Sequence, residues 1–129
     1  MGWMVLSVGL DGALEAISRY LISLWETGSF GQSGWMATLS VNVAGSLIMG
    51  MMAALLIASS LFSDPVCGFV MIGFLGALTT FSSFALDAYN FFQRGELLAG
   101  GLYLLSSVCL SVAGFYIGLV VVRLIAGQG

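Results

Sequence analysis

The sequence has no histidine, no lysine, one proline, two cysteines and only three basic residues. Each shortage excludes something. Without histidine, and with Cys67 and Cys109 both inside apolar stretches, there is no material for a zinc centre or a Cys/His catalytic pair. The two thiols read as small hydrophobes. No Ser/Lys or paired-aspartate arrangement stands out, so no catalytic residues are assigned. Arg19, Arg94 and Arg123 are outnumbered by six acids, giving a net charge of −3. That leaves no basic patch to hold nucleic acid. Charge of either sign is scarce, at 7% of residues, where a soluble domain carries about 25%. What is abundant is apolar: 60% of residues are hydrophobic and the mean hydropathy is +1.09. Such a chain cannot clothe a water-facing surface, and its solvent is lipid.

A membrane-spanning helix needs about 20 mostly apolar residues, so four spans and short loops account for nearly all of the 129 residues. The pattern predicts an all-α fold in a single domain over residues 1–129, with spans at Trp3–Trp25, Trp35–Phe62, Val66–Phe92 and Leu97–Ile125. Trp3 and Trp25 bracket the first span, as aromatics do at membrane interfaces. With no basic stretch before it, that span reads as a retained helix and not a signal peptide. Glu26–Gly34 reads as a Gly/Ser-rich loop, Ser63-Asp64-Pro65 as a turn and Gln93–Glu96 as a polar loop. Arg94 and Arg123 flank the last span on opposite sides, so positive charge gives almost no instruction on orientation. A chain that inserts both ways can pair with an inverted copy of itself.

Polar residues in lipid face protein or a water path. They recur here at helical spacing: Asp11, Glu15 and Arg19; Asn42, Ser46 and Gly50; Tyr103, Ser107 and Ser111. Ser46-xxx-Gly50 and Gly114-xxx-Gly118 fit close helix–helix packing. The Tyr103 stripe is equally consistent with packing and with lining a polar path. Span three carries Gly73, Gly76 and then Thr79-Thr80-Phe81-Ser82-Ser83-Phe84 near its middle, where a helix weakens or breaks. Broken backbone at membrane depth is tolerated only where protein buries it or it lines a cavity. Phe81 and Phe84 share a face. Their ring edges carry partial positive charge and could contact a dehydrated anion, although spacing alone favours ordinary packing for two phenylalanines in a membrane span.

The segment Gly73-Phe74-Leu75-Gly76-Ala77-Leu78-Thr79-Thr80-Phe81-Ser82-Ser83-Phe84, followed by Asp87, resembles the span-three signature of the Fluc (CrcB) family of fluoride channels. Thr38-Leu39 through Asn42 to Gly45, Arg19-Tyr20 and Asp64-Pro65-Val66 are also similar to family patterns, in the same order. The resemblance implies a multi-pass protein of the cell (inner) membrane with a broken third span. It implies an antiparallel dual-topology dimer, either a homodimer or a heterodimer with a paralogue. It further implies fluoride export down its gradient past Arg19, Asn42, Phe81, Ser83, Phe84, Tyr103, Ser107 and Ser111. A structural sodium ion at the dimer centre would be held by the main-chain carbonyls of Gly76 and Thr79.

Four positions depart from the family pattern. Asp11 and Glu15 stand where glycines are usual, and so do Ala37 and Ala77. Glu15 is placed to pair with Arg19 in the favourable i, i+4 order. A membrane carboxylate in span one also admits another reading, a small multidrug-resistance-type exporter coupled to protons. A non-conducting accessory subunit of a heterodimeric channel is the third.

Overall fold

The computed structural model describes residues 1–30, 34–59 and 80–127. Among these the chain forms four helices: α1 (Gly2–Phe30), α2 (Trp35–Ser59), α3 (Phe81–Gln93) and α4 (Leu97–Ile125). Helix α4 occupies the span the sequence predicts. Helix α1 runs five residues past Trp25, through the stretch expected to be loop. The physical reason is that nothing there stops it. No proline intervenes, and Thr27 Oγ1 donates to the Ser23 carbonyl at 2.7 Å. Ser7 and Ser18 make the same bond to Trp3 and Leu14 at 2.8 Å. Hydroxyls bonded within their own helix can sit in lipid without a partner elsewhere.

Among the described residues two helices are long and apolar enough to cross a membrane: α2 over Trp35–Leu56, with mean hydropathy 1.8, and α4 over its full length, with 2.3. Helix α1, at 29 residues, has the length, about 43 Å, but carries Asp11, Glu15 and Arg19 near its middle. The third span was expected over Val66–Phe92. Its described part is α3, whose 13 residues rise only about 20 Å; residues 66–79 lie outside the described residues.

The packing is inverted relative to a water-soluble protein. Along α4 the buried positions are Gly100, Tyr103, Ser107, Gly114, Gly118 and Val122. The large apolar side chains Leu98, Leu105, Val112, Ile117 and Leu124 point outward and are exposed. Small and polar residues inward with leucine outward is the arrangement that lipid favours.

Helices α2 and α4 press together backbone to backbone. A Cβ at Gly50 would overlap the Phe115 carbonyl, one at Gly118 the Leu47 carbonyl, and one at Gly114 would sit 3.2 Å from the Val43 carbonyl oxygen. Gly50 on α2 and Gly114 and Gly118 on α4 thus all lie in this contact. Between α3 and α4 the chain reverses in a Schellman turn. The Glu96 N–H donates to the Phe91 carbonyl and the Gly95 N–H to the Phe92 carbonyl, both at 3.0 Å. Gly95 holds φ +75°, where a side chain would strain the backbone. Arg94 lies over the Phe91 ring, 5.1 Å from its centroid, and pairs with Glu96 at 3.4 Å.

Candidate functional site

The site is built around the start of α3. Thr80 is extended, with φ −135° and ψ 123°, and caps the helix: its hydroxyl accepts from the Ser83 N–H at 3.3 Å. The same hydroxyl lies 3.1 Å from Ser82 Oγ and 3.4 Å from Ser83 Oγ. From α2, Asn42 meets the Thr80 backbone twice. Its Oδ1 accepts from the Thr80 N–H at 2.9 Å, and its Nδ2 donates to the Thr80 carbonyl at 3.4 Å.

Two clefts open on either side of this junction. The larger, about 330 Å³, is lined by Asn42, Ser46, Thr80, Phe81, Phe84, Ser107, Val108 and Ser111. The smaller, about 110 Å³, is lined by Arg19, Ser23, Gly34, Ala37, Thr38, Val41, Thr80 and Ser83. Thr80 belongs to both. The larger cleft presents hydroxyl and amide groups with no ionised side chain among them. The N-terminal end of α3 adds partial positive charge there. Such a lining suits a small ion that must exchange water for fixed dipoles. The Ser107 hydroxyl is buried.

The Phe81 and Phe84 rings lie 5.4 Å apart, tilted by 48°. Phe84 is buried, whereas Phe81 is 80% exposed on the single chain. Behind Phe84 sits an aromatic cluster. Tyr103 lies 5.5 Å from both Phe84 and Phe91, and Trp35 is 5.9 Å from Tyr103 in an edge-to-face contact. The Tyr103 hydroxyl donates to Asp87 Oδ2 at 3.2 Å. That bond ties α3 to α4 and answers the polar groups of both residues.

The structure therefore brings Asn42, Phe81, Phe84, Ser107 and Ser111 into one cleft, and Arg19 and Ser83 into the other. Tyr103 lines neither: it is 3% exposed and packed in the cluster. Its ring is long enough to reach Asp87, so the spacing it shares with Ser107 does not place it at the cleft. Gly76, Thr79 and Ala77 lie outside the described residues. Ser46 and Thr80 were not expected as lining residues. Ser46 was legible in principle, one turn from Asn42 on the same face. Thr80 could be found only from the cap geometry.

The expected Glu15–Arg19 pair does not form. Both Glu15 carboxylate oxygens are buried without a hydrogen-bond partner, as is Arg19 Nε. Arg19 lines the smaller cleft instead. Asp11, one turn from Glu15, is also buried, with Oδ2 unpartnered.

Apolar outer faces, glycine-mediated helix contact and an uncharged polar cleft beside an aromatic pair define a helical membrane protein built to handle a small solute. Residues 6–119 match the family described as CrcB-like protein, Camphor Resistance (CrcB), and the chain belongs to that family. It is 40% identical over 119 residues to a protein of Rhizobium etli named fluoride-specific ion channel FluC, covering 92% of this chain and 95% of that one. A protein of the same name from Francisella philomiragia is 43% identical over 124 residues, with 90% and 95% covered. One from Hahella chejuensis is 42% identical over 119 residues, with 92% and 93% covered.

Proposed function

We propose that this chain is a fluoride-specific ion channel, not an enzyme, that lets fluoride leave the cell down its gradient across the inner membrane. The observation that carries this reading is the cleft itself. Ser46, Thr80, Ser107 and Ser111 line it together with Phe81 and Phe84. Fluoride is small and holds its water tightly, so a path through lipid must offer donors in place of that water. Hydroxyls do so, and ring edges present electropositive hydrogens without a competing charge. Arg19, in the neighbouring cleft, raises the local anion concentration. Expression in a bacterium stripped of its own fluoride exit route should restore growth in fluoride medium; unchanged sensitivity with protein present in the membrane counts against the proposal.

The working unit in this reading is an antiparallel dimer with two pores of opposite direction. The exposure of Phe81 on the single chain supports a second chain completing that lining. Arg94 and Arg123 stand at opposite ends of α4, which balances the topogenic charge. Two lysines added to the Gln93–Glu96 loop should force one orientation, read by terminal reporter fusions. Wild-type protein found in one orientation only would remove the dual-topology dimer. The sodium ion that the resemblance implies would lie on the main-chain carbonyls of Gly76 and Thr79. Main-chain oxygen donors suit a hard cation.

One observation favours the proton-coupled exporter: Glu15, fully buried in α1 with unpartnered oxygens. In the channel reading this carboxylate takes no part in conduction and is a cost to folding. Glu15→Met, similar in volume, should then raise stability in detergent by about 1–3 kcal/mol and leave fluoride flux in place. Loss of drug-driven proton exchange in that variant, with no fluoride flux in either protein, would favour the exporter.

A further inference from the structure

The side chain of Asn42 makes an unusual commitment. Its amide spans 38 residues of sequence to grip both backbone groups of Thr80. Thr80 is extended, so its N–H has no helical acceptor in the cap geometry. In lipid an unanswered backbone N–H is expensive. Asn42 Oδ1 supplies the acceptor at 2.9 Å. The second bond, at 3.4 Å, is longer. That is expected where a cap carbonyl also serves the first turn of its own helix. An asparagine is the side chain whose one planar amide offers an acceptor and a donor side by side. Aspartate could accept but not donate, and serine is too short to do both.

We propose that Asn42 is a positioning residue. It fixes the first turn of α3, and through it the placement of the Phe81 and Phe84 rings, and commits its amide to Thr80 in preference to the permeating ion. This rests on the channel reading above. Phe81 follows the pinned residue directly, and Phe84 lies one turn on. The Thr80 hydroxyl organises the turn between them by capping Ser83. Releasing Thr80 therefore lets both rings shift together, while the serine hydroxyls contributed by α2 and α4 stay where they are.

The test is a double-mutant cycle on the full-length protein in liposomes. One arm is Asn42→Ala. The other replaces Thr80 by its α-hydroxy acid, which turns the peptide N–H into an ester oxygen and leaves every side chain unchanged. Each alone should lower fluoride efflux by about tenfold, as expected when a buried donor–acceptor pair is broken. The combination should be no worse than the stronger single change, because the bond that the ester removes, from the Thr80 N–H to Asn42 Oδ1, is already absent in Asn42→Ala. Penalties that multiply would overturn the proposal, since they place Asn42 in independent contact with the ion.

Fluorine resonances provide the second readout. A 4-fluorophenylalanine at position 84 should shift in the Asn42→Ala background, and an unmoved resonance would also overturn the proposal. This readout needs no conduction. If the wild-type protein passes no fluoride, the channel reading fails while the resonance still decides the role of Asn42. Should Asn42→Ala fail to fold, the ester is read with the fluorine probe at position 84: a shifted resonance supports the proposal and an unmoved one overturns it.

Discussion

Phe81→Ile should lower fluoride efflux by about fivefold while the protein stays folded. The aromatic ring contributes an electropositive edge worth about 1 kcal/mol per contact, and about 1.4 kcal/mol of barrier is tenfold in rate. Isoleucine keeps the side chain apolar and bulky without that edge. Phe81 is 80% exposed on the single chain, so its replacement removes little packing within the protomer. Phe84→Ile should lower flux similarly but also lower stability, because Phe84 is buried against Tyr103. Efflux measured beside thermal unfolding separates the two effects. Wild-type efflux from both variants would show that ring edges play no part in conduction.

The second large effect concerns the α2–α4 contact. Gly118→Val should strongly destabilise the fold, because even its Cβ would overlap the Leu47 carbonyl. Backbone cannot move aside as a flexible side chain can, so the helices must separate along their length. Overpacking of this kind costs about 1–3 kcal/mol or more. Gly101→Ala, on the same helix with nothing within 4 Å of the added carbon, is the control. It should be neutral or stabilising by about 0.5–1 kcal/mol, as alanine favours helix over glycine. Thermal unfolding in detergent checks both, and equal melting of the two variants would mean that the close approach is not what holds this helix pair.

Much of this architecture was legible in the chain, for physical reasons that differ by element. Helix α4 was bounded correctly because a polar turn precedes it and Arg123 closes it, with unbroken apolar sequence between. The far end of α1 was misread because Gly28 and Ser29 suggest a loop; continuation depends on helical hydrogen bonds that composition does not reveal. The contact glycines, Gly50 on α2 and Gly114 and Gly118 on α4, were legible because small residues one turn apart leave a groove that a neighbouring backbone fills.

Within the site, i, i+4 spacing was enough to put Ser107 and Ser111 on one face of α4. It was not enough for Tyr103, whose hydroxyl reaches Asp87 on another helix. Nor was it enough for Glu15 and Arg19, which satisfy the spacing of an ion pair yet do not meet. Spacing fixes which residues share a face. Side-chain length and the neighbouring helix decide what each one touches.

Fluoride conduction by this chain alone is read in liposomes loaded with potassium fluoride, with efflux followed by a fluoride electrode after potassium is made permeant. The protein-containing vesicles should release fluoride rapidly, with no comparable release of chloride. Fluoride retention equal to that of protein-free liposomes, from folded and membrane-inserted protein, would contradict the channel reading.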